Sequence, residues 1–478
     1  MAYPTVFGRW LTAFQKLFKS EELLQEAYDK ANGSSFALPI DHLKQLEKEP
    51  ETILSREKAL RQILGSYQSS QSTHDQKSEA LRINGGVLQN KLRSSVPERS
   101  DEIRNRIEDA ITREVFSKTR QSGQGEWRRI RLTPALLRIF TRVSLASFLG
   151  TDQADCPQVY TDVMMFYWTC AFAFPVVQLL PNILVPFILP IVLCMGIPRV
   201  KMYNRILHLT WRCLDENASS EQRWASALFE QNAIKLLTFA KDQKGSVVSW
   251  ITEMTRVNEA TEIAKLTLGL VFASAFQVPM IAQFYIHRFC SHPEYTETLR
   301  EEASKHKHPP FTSLNKEMPY LDSFLKETAR LSPGPIVSNP RTAMLPYTLP
   351  DGCHVTTGNW IAVPQLALMR DENLWPQAKQ FEGFRFVDDE IGLSKSRLTH
   401  PSYEFPLWGS VRYSCPARFY VSIIMKMVLS HILLEYEFQL ESPRSQPHIN
   451  LGKFRLPNPF TILLIRKKEI VGKLRNTA

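Results

Sequence analysis

The chain is 478 residues long, 44% hydrophobic and 22% charged, which provides apolar material for a large core and excludes a disordered chain. Its formal charge of +10 comes from Lys and Arg scattered along the sequence without a long basic run. That distribution favours an anionic membrane surface or a negatively charged protein partner over a dedicated nucleic-acid module.

No signal peptide and no membrane-spanning run is legible at the N-terminus. Residues 7–25 place Phe7, Trp10, Leu11, Phe14, Leu17 and Phe18 at helical spacing among Arg9, Lys16 and Lys19. This predicts an amphipathic helix, either packed on its own domain or lying in a membrane surface. Asn32-Gly33 breaks it, and residues 36–39 read as a short strand. From 41 to about 120 the pattern is helical with polar joints. Residues 102–119 read as a solvated surface helix with Ile103, Ile107, Ala110, Ile111 and Val115 along one face, and residues 127–149 as an apolar-faced helix. Residues 163–198 carry no charge, but Pro175, Pro181, Pro186 and Pro190 interrupt them. Two short helices with a membrane-dipping or buried elbow fit this better than one straight span. Residues 224–256 are again helical. A long apolar helix follows over 258–289 with Pro279 inside it, then one from His292-Pro293 through Glu302, then one over 320–331 ended by Ser332-Pro333-Gly334-Pro335. Short alternating runs between 336 and 363 are strands. The expected architecture is mainly α with a small late β region. The expected division is an N-terminal amphipathic or membrane-proximal segment over residues 1–35 and a single domain over 36–478.

Seven cysteines, at 156, 170, 194, 213, 290, 353 and 415, include no Cys-x-x-Cys. Neither a disulfide framework nor a zinc site is indicated, and a reducing compartment is expected. Cys415 differs from the others in its setting. A turn-forming loop, Phe405-Pro-Leu-Trp408-Gly409-Ser-Val411-Arg412-Tyr413-Ser-Cys415, runs into an apolar helical pattern carrying Val421, Ile424, Met425, Val428, Ile432 and Leu433. A thiolate needs backbone N–H donors or a helix N-terminus to hold its charge, and Cys415 stands where both would arise. The plain alternative is a buried structural cysteine. Upstream, Glu327-Thr-Ala-Arg330 sets a carboxylate and a guanidinium on one helix face, which alone reads as a surface ion pair. Phe381-Glu382-Gly383-Phe384-Arg385-Phe386 follows some fifty residues later.

In this order and spacing the motifs resemble the cytochrome P-450 superfamily of haem-thiolate monooxygenases. The family's loop reads Phe-Gly-x-Gly-x-(His/Arg)-x-Cys-x-Gly, where this chain has Trp408, Gly409, Val411, Tyr413, Cys415 and Ala417. The resemblance runs from about residue 9 to 470 and extends to fungal members related to ent-kaurene oxidase, which usually begin with a membrane anchor that this chain is expected to lack. It implies the P-450 fold and haem b with Cys415 as axial ligand. It also implies Arg341, Arg412 and Tyr413 at the propionates, Trp408 against the cofactor, and Glu327, Arg330 and Arg385 as a buried triad locking the loop. On the oxygen side, Phe276 stands where the family has an acid or histidine and Gln277 where it has an alcohol. Ser274 would supply the alcohol if the register slips by three. The implied partners are O2, a hydrophobic terpenoid, meroterpenoid or indole-terpenoid substrate of fungal secondary metabolism, and an NADPH–cytochrome P-450 reductase docking near Arg418 and Lys426. No nucleic acid is implied. The implied location is the cytoplasmic face of the endoplasmic reticulum membrane. Val411 would be strained if its family position needs a positive φ. The departures leave two further readings: a haem enzyme performing reductase-independent rearrangement or dehydration, and a non-catalytic membrane-associated binding protein.

Overall fold

A computed structural model describes residues 19–30, 40–63, 100–116, 126–149, isolated positions between 154 and 164, 260–306, 317–350, 352–388 and 390–468. The expected helix before residue 19, the strand over 36–39, nearly all of the apolar stretch 163–198, the helix over 224–256 and the domain boundary at 35 lie outside these residues. No helix among the described residues is long and apolar enough to cross a membrane.

The helices in chain order are α1 (Ser20–Lys30), α2 (Ile40–Leu46), α3 (Arg56–Ile63), α4 (Ser100–Phe116), α5 (Leu132–Leu149), α6 (Ala260–Ser291), α7 (Thr296–Lys305), α8 (Pro319–Leu331), α9 (Gln365–Leu368) and α10 (Arg418–Glu435). Among them α6 is the organising rod, 32 residues or about 48 Å long. It packs along α5 and against α8 and α10, burying Val278, Ala282, Phe284, Tyr285, Ile286 and Phe289. Its Pro279 is accommodated inside the helix. The charged α4 is more than a solvated surface helix. Ile103, Ile107, Ala110, Ile111 and Val115 are all buried, because the apolar face predicted from their spacing is covered by α5.

The strands are β1 (Leu54–Ser55), β2 (Arg128–Arg131), β3 (Ser338–Ala343), β4 (Tyr347–Thr348), β5 (His354–Val355), β6 (Trp360–Val363), β7 (Tyr436–Leu440), β8 (His448–Leu451), β9 (Phe454–Pro457) and β10 (Ile462–Lys467). They form two three-stranded sheets, ordered β1-β3-β6 and β2-β10-β7, and the hairpins β4-β5 and β8-β9. The helix expected over 127–149 is therefore two elements. Arg128–Arg131 pairs with Ile462–Ile465, and the helix begins only at Leu132. Arg-Arg-Ile-Arg alternates half-buried and exposed, the two-residue period of a strand, and Pro134 belongs in a helix's first turn.

α8 and α10 form the floor beneath the cysteine loop. Every residue of α8 from Leu321 to Leu331 is buried, and α10 buries Tyr420, Ile423, Ile424, Met425, Val428 and Leu429. A second, smaller core sits under the β1-β3-β6 sheet, made of Leu43, Leu46, Leu54, Ala343, Ile361 and Val363 among others.

Candidate active site

The loop from Pro406 to Cys415 is shaped by backbone geometry. One 3-10 turn spans Pro406–Trp408, and Gly409 follows at φ 93°. A Cβ at Gly409 would lie 2.9 Å from the Tyr413 carbonyl oxygen, so both conformation and space require glycine there. The Cys415 N–H donates to the Trp408 carbonyl at 2.7 Å, closing the loop. The Trp408 indole donates to the Leu398 carbonyl at 2.6 Å, which anchors the loop's start. Val411, expected to be strained, is not: the positive-φ non-glycine residues described are Asn339 and Gln377. Val411 has an ordinary backbone and an exposed side chain, so its β-branch meets no conflict.

The half-buried Cys415 lies just before the first turn of α10. Burial pushes its thiol up. The N–H groups of Ala417 and Arg418 and the guanidiniums of Arg418 and Arg56 act in the opposite direction. A cation bound at the sulfur would complete that balance and hold it as thiolate. Arg418 is itself fixed, its Nη1 donating to the Cys415 carbonyl at 2.9 Å and its Nε to the Thr399 carbonyl at 3.2 Å.

Two residues before the cysteine, the Tyr413 ring is surrounded by guanidiniums. Arg341 and Arg412 each lie 5.3 Å from its centre, and Arg56 lies 5.6 Å away. Arg341 is reached through a register irregularity between Ser338 and Arg341 in the β3–β6 pairing, which re-aims its side chain. Asn339, at φ 50°, adopts a conformation asparagine tolerates. Arg341 is buried, and its guanidinium is held below its ordinary value by burial and by Arg56. Arg56 carried no motif in the sequence. What brings it here is sheet pairing with a strand nearly 290 residues away.

Glu327, Arg330 and Arg385 also meet. Arg330 grips the Glu327 carboxylate with Nε and Nη2, both at 2.7 Å, and Arg385 Nε approaches the same carboxylate at 3.2 Å. Glu327 and Arg330 are fully buried. Arg330 further donates to the carbonyls of Met369 and Ala378, and Arg385 to that of Pro376. Together they fasten the irregular chain between 369 and 385 onto α8. On α6, Ser274 is buried and its hydroxyl shares a hydrogen bond with Ser144 of α5. Gln277 is exposed, and the Phe276 side chain lies outside what is described.

A family model for cytochrome P-450 matches residues 222–464. The chain belongs to the cytochrome P-450 family. Similar proteins include cytochrome P-450 monooxygenase olcJ of Penicillium canescens, 26% identical over 96% of this chain and 86% of that protein. Ent-kaurene oxidase of Gibberella intermedia is 24% identical over 98% of this chain and 88% of that protein. The retinoic acid-bound cyanobacterial CYP120A1 shares the fold, with a TM-score of 0.61 over 88% of this chain and 86% of that one at 16% identity.

As a P-450 the protein is an oxidoreductase of the monooxygenase type, and its family implies haem with a cysteine ligand. The residues present fit that group. A soft sulfur donor sits among N–H groups at a helix N-terminus. Beside it, Arg341 and Arg412 have no carboxylate within ion-pair distance among the described residues, which suits a cofactor carrying two carboxylates. The same geometry corrects one expectation. Lys426 cannot meet a redox partner, because it is fully buried and its Nζ lies 2.6 Å from Asp322 of α8. Its place on α10 faces the core, and Arg418 is occupied by the two carbonyls already named.

Proposed function

We propose that this P-450 oxidises a hydrophobic terpenoid, meroterpenoid or indole-terpenoid intermediate of fungal secondary metabolism at a membrane surface, using O2 and electrons from an NADPH-dependent reductase. The observation that carries the chemistry is Cys415 at the start of α10 with the N–H groups of Ala417 and Arg418 turned to its sulfur. The substrate class follows from similarity to a protein named ent-kaurene oxidase. Haem b, when bound, supplies oxygen activation, and a thiolate ligand favours O–O cleavage. The chain's part is to present the Cys415 Sγ as thiolate, to hold the cofactor's carboxylates with Arg341, Arg412 and the Tyr413 platform, and to keep Trp408 fixed beside the loop. Glu327, Arg330 and Arg385 hold the segment that leads into it. On α6, Gln277 can donate to or accept from a water molecule, but an amide is not an acid–base relay, so proton delivery falls to water held at its Oε1 and Nε2. For the reductase, the exposed cations nearest in sequence to the loop are Lys395 and Arg397, on the stretch whose Leu398 and Thr399 carbonyls hold Trp408 and Arg418. Opposite charge on a partner would steer its docking there.

The test is the reduced, carbon monoxide-bound difference spectrum of the purified protein. A thiolate-type Soret band that disappears in Cys415→Ala is the expected result; a neutral-ligand band or no haem in folded protein would refute the reading. The Phe276 and Gln277 positions favour a second reading, a haem-dependent rearrangement or dehydration that needs no reductase. Product formation without NADPH, by protein with the thiolate band, would select it.

A further inference from the structure

We propose that Lys326 is a positioning residue for the haem ligand: its buried ammonium draws together three stretches of chain that lead to the cysteine loop. This rests on the haem reading above. Lys326 stands on α8 next to Glu327 and is 2% exposed. Its Nζ lies 4.4 Å from the centre of the Phe386 ring and 4.9 Å from that of Phe405. The same atom donates to the Ser396 hydroxyl at 2.6 Å and to the Ser396 carbonyl at 3.3 Å. Each partner belongs to a different stretch. Phe386 follows Arg385 of the triad, and the fully buried Phe405 opens the cysteine loop. Ser396 precedes the Leu398 and Thr399 carbonyls that hold Trp408 and Arg418. No carboxylate forms an ion pair with Lys326 among the described residues. Asp322, one turn earlier on α8, is engaged by Lys426 of α10, and Glu404 acts only at a distance. Burial lowers the ammonium to about 8 against the pull of these two acids. A buried charge held by two ring faces and one serine adds little net stability, and an apolar side chain of similar length would fill the same space. What the apolar side chain cannot supply is direction. Ring faces attract a cation within about 6 Å and a hydroxyl accepts along a preferred line, so the ammonium fixes where Phe405 and Ser396 stand relative to α8.

The test is how long the thiolate survives in the reduced, carbon monoxide-bound protein, independently of turnover. The change of the thiolate-type Soret band into the neutral-ligand band would be timed for the wild type, Lys326→Met, Phe405→Leu and the double variant Lys326→Met/Phe405→Leu. Circular dichroism confirms that each stays folded. Loss of the cation–π contacts predicts roughly 5- to 30-fold faster change in Lys326→Met, and a double-variant effect smaller than the product of the two single ones. Ser396→Ala, which removes only the 2.6 Å hydroxyl acceptor, should change at an intermediate rate, and it carries the test if Lys326→Met does not fold. The ammonium is charged below about 8 and loses its proton as pH rises through that value, so the gap between wild type and Lys326→Met should close over that range. Equal rates in wild type and Lys326→Met, effects that multiply in the double variant, or a gap that does not depend on pH would overturn the proposal while leaving haem binding intact. A folded wild-type protein with no thiolate band would overturn the haem reading itself.

Discussion

Gly409 and Val411 sit two residues apart in the same loop yet answer to different constraints. Gly409 combines φ 93° with a Cβ position 2.9 Å from a backbone oxygen, and neither can give way cheaply. Gly409→Ala is expected to destabilise by about 1–3 kcal/mol and to lower haem content. Val411→Gly should stay within about 1 kcal/mol of wild type. Thermal unfolding and the haem-to-protein absorbance ratio distinguish the two, and equal effects would refute the assignment. The cysteine was legible because its chemistry depends on adjacent residues, a loop running into an apolar helix. The strain expected at Val411 was not a property of the sequence, since φ is set by how the loop closes between Trp408 and Cys415. Arg56 was illegible for another reason: a lone arginine carries no signal until a distant strand fixes where it points.

At the scale of elements, α8 and α10 are joined through charge inside the core. Asp322 accepts the Leu398 N–H at 2.6 Å and pairs with Lys426, so one buried contact links two helices and the strand of chain before the cysteine loop. Removing one member leaves the other charged and unpaired. Lys426→Met is expected to cost about 3–5 kcal/mol, read by chemical denaturation, with no change in the reductase concentration needed for half-maximal rate. A reductase-dependent defect in stable protein would restore Lys426 to the surface. Helix periodicity announced α6, α8 and α10 well, because their apolar residues recur at the right spacing. It failed over residues 127–131, where Trp127 and Ile130 extend the apolar pattern of the following helix backwards although the chain is pairing with Ile462–Ile465. Glu327-x-x-Arg330 was visible as a pair. That it is wholly buried and bonds to carbonyls from 369 to 380 follows only from packing.

Across the whole molecule, α1 is fastened to the C-terminal hairpin and to the segment after α9 through Glu21. Burial alone would raise this carboxylate. The hydrogen bond with His448 and the charges of Arg455 and Arg370 outweigh it and hold Glu21 at about 2. A lowered folded-state value means that the latch contributes fully above the ordinary carboxylate range near 4.5 and is lost as pH falls from there toward 2. Glu21→Gln should therefore be less stable than wild type at neutral pH, with the gap in Tm narrowing from pH 5 to pH 3. A gap independent of pH would assign the effect to packing. The mainly helical body, the late strands and the order of the motifs were readable from sequence. The pairing of β1 with β3 and of β2 with β10 was not, because each joins residues hundreds of positions apart.

The pairing of β1 with β3 also bears on how the protein is made. Ser55 and its partner Thr342 are separated by roughly 290 residues, and ribosomal synthesis at about 5–20 residues per second keeps the first strand waiting for tens of seconds. Throughout that interval β1 lacks its sheet neighbour and Arg56 stands apart from both Arg341 and Arg412. Cys415 is made later still, so the loop that carries the thiol is complete only when the chain is nearly finished. Chains stalled between residues 343 and 415 would hold a paired N-terminal strand but no thiol ligand.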